Sequence, residues 1–537
     1  MKNIRYAFIV LAAVGSLLSG SLHAQTYDAD EGKNALMQLQ KFNQFYRYLN
    51  GTYIDTINNK QLIEKAISEV LQQLDPHSSY LTAEEMVGVR ETFNGSFSGI
   101  GIEFNVLHDT IIVVNVISGG PSEAVGLLPN DRIVKVDGKN VVGTTQLGVP
   151  KLLRGPKGSR VELEVIRSGL SEPLDFSIVR DNIPINTIDA AYKLDSLTGY
   201  IRINRFANQT YREFEEAFQK LGPVDALVLD LRSNGGGLLD QAIELSNFFL
   251  PKGAVIVSTE GRHVPPFRLM AQHDGRFTEG KVIVLTNELS ASGSEIVAGA
   301  IQDWDRGLII GRRTFGKGLV QRQFPLQDSS AVRITVARYH TPSGRVIQRP
   351  YEQGKRDEYD LDLIKRIQHD STASSMDSSQ AYQTLRTGRT VYGGGGIAPD
   401  ITVETDTLPY TDYWSGLIRQ GILIEYVISY MDQHRTELER RYPDIETYLS
   451  SFQPDEQMLT ELQEAAAHKE IKASAEDLER SRFLILTQLK ALIAQKLWGM
   501  NEYFMVNNQQ DETIQKAREV LKDWPRFSEG ILSSAKN

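Results

Sequence analysis

Between residues 198 and 311 strands and helices alternate, and this alternation limits the fold more than any other feature of the chain. The strand TGYIRINRF leads to the helix TYREFEEAFQKL, the apolar strand ALVLDL, the turn RSNGGG and the helix LLDQAIELSNFFL. Further on come the strand KVIVLTN, the helix SGSEIVAGAIQDW and the strand GLIIG. Short apolar strands that take turns with amphipathic helices build βαβ units, which predicts an α/β core with a parallel sheet. Ligands of such sheets bind beyond the carboxyl ends of the strands.

The chain is 537 residues long, room for several domains. Residues 28–92 read as a helical region, with Leu36, Leu39, Phe42, Tyr46 and Leu49 at helical spacing. DPHSSYLT (75–82) breaks it, and His77 within that break reads as a turn-packing residue. Residues 93–182 change to short β runs and glycine turns, a compact β-rich module. Residues 183–407 hold the α/β core, interrupted by a polar surface excursion at 352–390. Residues 408–537 are helical again, and Phe483, Leu486, Leu489, Ile493, Leu497, Met500 and Phe504 read as one apolar stripe facing a core or a partner helix.

Composition excludes several functions. A net charge of −10 argues against a nucleic-acid partner, because phosphate neutralisation needs a basic surface. Cysteine is absent, so neither a disulfide nor a thiol nucleophile is available. Residues 1–24 have a basic start (Lys2, Arg5), an apolar run from Tyr6 to Leu18 and small residues up to Ala24. That is the layout of a signal peptide, which places the mature protein in the periplasm or cell envelope. The run is shorter than the roughly 20 residues a spanning helix needs, and no second stretch is long enough.

GRRTFGK (311–317) fits the spacing of a phosphate-cradling loop. Such a loop needs Ser or Thr after its lysine and a helix whose N-terminus faces the phosphate. Here Gly318 follows, and GLVQRQFPLQ alternates like β-structure, so the nucleotide reading is set aside. Burial lowers the pKa of a lysine and fits it to act as a general base. Its candidate nucleophile lies in NELSASGSEIVAGA (287–300), where small residues leave a serine hydroxyl clear at the start of a helix. Backbone N–H groups there can stabilise an oxyanion. RSNGGG supplies a second set of such donors. Taken alone, SASGSE is a polar helix cap, with Ser292 or Ser294 as N-cap and Glu295 in the first turn.

Together these stretches resemble the carboxyl-terminal processing peptidases, or tail-specific proteases, over roughly residues 40–405. Ser292 precedes Lys317 by 25 positions, the separation that family uses for nucleophile and base. LDPHSSYL, DLRSNGGG, YHTPSGRVIQ and GGIAPDI stand in the family's order. The resemblance implies a multidomain α+β protein whose α/β peptidase core is of the crotonase/ClpP-like βαβ type. It implies Ser292 as nucleophile, Lys317 as base and Gln321 as the residue orienting the lysine, without metal or organic cofactor. Oxyanion donors would be the N–H groups of Gly293 and Gly236. Asp303, 11 residues after Ser292, is either an accessory functional aspartate or a charged residue near a helix end.

The β-rich module resembles a PDZ domain. Gly99, Ile100, Gly101 and Ile102 in SGIGIEF match its carboxylate-binding loop, which implies recognition of apolar C-terminal tails added as a β-strand. Arg154 reads as a turn-packing residue. The chain departs from the family at Gly293, where alanine is usual, at Gly235, where proline is common, and at Asn130, where PDZ domains often have glycine. Asparagine tolerates left-handed backbone. The terminal helices offer surfaces through which protomers can join. The competing reading is an inert envelope adaptor that binds peptides and cleaves none.

Overall fold

The computed structural model describes residues 29–107, 109–117, 119–167, 169–368 and 379–532, so residues 1–24, read above as a signal peptide, lie outside it. The described residues up to Val70 and those from Leu71 onward form two compact units. The first carries the helix Ala29–Thr52, on which Leu36, Leu39 and Phe42 are exposed. Among the described residues no helix is long and apolar enough to cross a membrane.

The second unit is multidomain α+β and is organised around a six-stranded sheet. Its strands run in the order Ile188–Lys193, Thr198–Ile203, Ala226–Asp230, Lys281–Thr286, Leu308–Gly311 and Ile401–Thr402. All are parallel except the first. Successive residues of a strand point to opposite faces, and both faces are covered here. Leu227 and Leu229 pack with Phe214, Leu245 and Ile296 of the helices Thr210–Leu221, Leu239–Asn247 and Gly293–Asp303. Ala226 and Val228 pack with Ile514, Ala517 and Val520 of the helix Glu512–Lys522. The end of the chain therefore closes the core.

A second sheet lies beside the first. Its long strand Ala331–His340 pairs with Leu319–Pro325, Ser79–Leu81 and Val255–Gly261. The β-rich module is antiparallel around buried Ile111, Ile133, Val161 and Val165. It joins the remainder through the pair Ser96–Gly99 and Asp181–Pro184.

Two expectations change. The described residues of 352–390 are not irregular: they hold the helix Arg356–Ile367 and most of a hairpin, Ala381–Gln383 with Thr390–Tyr392. That helix looked polar because its inner face uses Tyr359, Asp362 and Arg366 to hold polar groups. The stripe from Phe483 to Phe504 is not one helix, because the chain breaks at Gly499 with φ 140°. Leu489 and Ile493 are buried in the helical cluster, whereas Phe483 is exposed and Phe504 packs against the central sheet.

Candidate active site

Ser292 sits where the strand Lys281–Thr286 has ended and the helix Gly293–Asp303 begins. Its φ of 55° and ψ of −109° lie outside the regions L-residues favour, a strain of about 1–3 kcal/mol of the kind concentrated at functional sites. Hydrogen bonds impose it. The Ser292 N–H donates to Glu295 Oε2 at 2.8 Å, and its carbonyl accepts from the N–H groups of Glu295 and Ile296. Both residues of the sequence-level cap are thus in place.

The turn after Asp230 is laced to this one. Ala291 N–H and Ser294 Oγ both donate to the Asn234 carbonyl at 2.9 Å, and Ser290 Oγ donates to Leu231 O. A Cβ on Gly236 would lie 2.7 Å from Ser292 Cβ and 2.9 Å from Gly293 N, so only glycine fits. The Gly236 N–H donates to Asn234 Oδ1 at 2.9 Å, a bond it must release to serve an oxyanion. Gly293 is buried at the helix start, and a Cβ there would lie 3.0 Å from the Phe206 ring, which would have to shift by a few tenths of an ångström to admit it. Around Gly235 nothing excludes a side chain.

Lys317 lies between the strands Leu308–Gly311 and Leu319–Pro325. No helix follows it, so the geometry of a phosphate loop is missing. Its loop is clamped from four sides. Thr314 Oγ1, Gly316 N and Lys317 N donate to the Glu295 carboxylate at 2.6, 2.7 and 2.9 Å. Arg366 donates to the carbonyls of Arg313, Thr314 and Phe315. Gly318 N donates to Gln348 Oε1 and Arg349 N to Gly316 O. The Tyr339 hydroxyl donates to Lys317 O at 2.5 Å and stands 3.3 Å from Ser292 O. Glu295 and Tyr339 each touch the backbone of both Ser292 and Lys317.

The electrostatics lower the Lys317 pKa from the ordinary lysine range. Burial lowers the Lys317 pKa and Arg333 adds to this, while Glu295 and Asp75 oppose it. Burial pushes the Glu295 carboxyl upward against the four donors that favour its ionised form. His77 is brought beside Lys317, and burial first, then Lys317, lowers its pKa to about 4. Its ring meets Tyr359 edge-on at 5.5 Å and Nε2 lies 3.2 Å from the Tyr359 hydroxyl, which is a packing role. Gln321 stands across from Thr335 in the paired strands, and its Nε2 donates to Thr335 Oγ1 at 3.3 Å.

Asp303 is at the far end of the helix from Ser292. Fully buried, it pairs with Arg345 at 2.5 Å and accepts from Ser343 N at 2.9 Å, anchoring the loop after His340. In the β-rich module Gly99 ends one strand and Ile102 begins the next, with Ile100 and Ile102 buried and Gly101 at φ 79°. Asn130 adopts the left-handed conformation expected of it, at φ 72°. Arg154 pairs with Glu91 and stacks on Phe97, a packing role. Sequence reasoning missed the clamps Tyr339 and Arg366 and the acceptor Asp75. Only Glu295 carried a signal, the capping pattern of SGSE.

Residues 197–355 match the family described as peptidase family S41, residues 98–178 a PDZ domain, and residues 6–85 the N-terminal domain of the activating protease CtpB. Residues 413–499 match a family of unknown function. The chain is 40% identical over 349 residues to the carboxy-terminal-processing protease of Bartonella bacilliformis, covering 63% of this chain and 80% of that one. It is 35% identical over 363 residues to the carboxy-terminal processing protease CtpA of Bacillus subtilis, covering 65% and 76%. Among solved structures, the photosystem II D1 C-terminal processing protease is 27% identical, with 69% of this chain and 88% of that one covered and a TM-score of 0.35.

Proposed function

The chain belongs to peptidase family S41, the carboxy-terminal processing proteases, with a PDZ domain, and from that premise we propose that it is a serine endopeptidase cleaving exported proteins near their C-termini. Ser292 Oγ attacks the scissile carbonyl while the neutral Lys317 amine takes its proton. The C–N bond then breaks, Lys317 returns the proton to the leaving amine, and water releases the acyl group from Ser292. Gln321 orients the amine, and the N–H groups of Gly293 and Gly236 stabilise the oxyanion. The observation that carries this reading is the shared clamp: Glu295 and Tyr339 each bind the backbone of both Ser292 and Lys317.

In this reading residues 93–182 are the PDZ domain, which captures an apolar tail at Gly99–Ile102 and presents it to the core at 183–407. The leader at 1–24 supports export. Ser292→Ala and Lys317→Ala should each abolish cleavage of a peptide with an apolar C-terminus while circular dichroism stays native. Full cleavage by either variant removes the Ser–Lys mechanism. Peptide binding without cleavage by the unaltered protein leaves the inert adaptor.

A further inference from the structure

The Gln321 carboxamide can serve Lys317 in only one of its two orientations. A base must aim its lone pair at Ser292, so its own N–H groups need an acceptor elsewhere. A carboxamide oxygen provides one, whereas an NH2 group would compete for the lone pair.

The polar groups behind Gln321 select between these orientations. Gln321 Nε2 donates to Thr335 Oγ1 at 3.3 Å, and Thr335 Oγ1 donates to Asp75 Oδ1 at 3.0 Å. The same Asp75 oxygen accepts the N–H groups of His77 and Ser78, both at 2.9 Å. Backbone N–H groups can only donate, so this oxygen is an acceptor and the Thr335 hydrogen is committed to it. The hydroxyl oxygen must then accept, which requires the NH2 end of Gln321 and leaves Oε1 on the other side. Asp75 is itself buried, and its second oxygen accepts from Ser78 Oγ at 2.5 Å. We propose that Asp75 and Thr335 are positioning residues that fix Gln321 with its carboxamide oxygen toward Lys317. The proposal rests on the Ser–Lys reading above.

Thr335 offers the cleaner test, because Asp75 also acts on Lys317 by charge, as do Arg333 and Glu295, while the neighbouring His77, lowered to about 4, is uncharged where the lysine titrates. Steady-state kinetics and the acid limb of kcat are measured for the full chain and for Thr335→Val, Thr335→Ser, Gln321→Met and the Thr335→Val/Gln321→Met double variant. Thr335→Val should lower kcat by about tenfold or more with KM nearly unchanged. Its acid limb should move to lower pH, because the ammonium form loses an acceptor. Thr335→Ser should recover most of the rate, and Thr335→Val should add nothing to Gln321→Met. Wild-type turnover by Thr335→Val, equally slow Thr335→Ser, or losses that multiply in the double variant would each overturn the proposal. If Thr335→Val does not melt cooperatively, Thr335→Ala against Thr335→Ser gives the same decision. Failure of the underlying reading shows separately, as wild-type turnover by Lys317→Ala.

Discussion

The proposed nucleophile and the proposed base are held in different ways. Ser292 is placed by local structure: a strand end, a strained residue and a helix cap, all within the 17 residues from Thr286 to Gln302 and pressed onto the turn at Asn234–Gly236. Lys317 has no such local support. Its loop is fixed by Glu295, Tyr339, Gln348, Arg349 and Arg366, reached from four other stretches of the chain. A serine hydroxyl needs a sharp turn, which a short sequence can encode. A buried amine needs a shell of backbone clamps, which only the assembled fold can supply.

The strongest way to break the nucleophile side is Gly236→Ala, since the added Cβ would collide with Ser292 and Gly293. Peptide cleavage should fall about 100-fold or more, in line with a displacement of order 1 Å. Activity within twofold of wild type would mean the two turns are looser than their contacts indicate.

Glu295→Gln strikes both sides. Four donors converge on this carboxylate, so an amide NH2 must face at least one of them. A buried donor left without an acceptor costs about 1–3 kcal/mol, and thermal unfolding should show that loss together with lower kcat. Unchanged stability would argue that Glu295 carries a proton and donates.

Arg366→Met should affect the base side alone. Cleavage should fall about tenfold as three carbonyls lose their donor and the loop loosens. Binding of an apolar tail peptide to the PDZ domain should not change. A loss of tail binding as large as the loss of cleavage would mean the helix Arg356–Ile367 serves both regions.

The smallest effect concerns stability. The folded Lys317 pKa lies below its unfolded value, so between the two the unfolded chain binds more protons and stability rises with pH. Lys317→Met removes this dependence, so its stabilising effect should be largest near neutral pH and shrink as pH approaches the ordinary lysine range. Melting curves at several pH values test this, and a gain that grows with pH would contradict a depressed pKa.

Much of this contrast follows from what a linear sequence can carry. The βαβ alternation, the glycine turn RSNGGG and the small residues around Ser292 were legible because each is a local rule of backbone geometry. The PDZ turn at Asn130 was legible for the same reason. Arg366 and Tyr339 were not, since a charged helix and a β-strand tyrosine look the same whether they face solvent or the Lys317 loop. The helix Glu512–Lys522 was also missed as a core element. Ile514, Ala517 and Val520 mark an amphipathic face, but nothing local says that it covers Val228 and Ile283 of a sheet some 250 residues earlier.

The most direct test is the rate at which a serine-directed fluorophosphonate phosphonylates Ser292, with loss of fluoride, as a function of pH, measured without any peptide. The rate should rise through an ionisation below the ordinary lysine range, and Lys317→Ala should slow it by about 10²–10⁴-fold. Phosphonylation of Ser292 at an unchanged rate in Lys317→Ala, with the same pH profile, would contradict a lysine base.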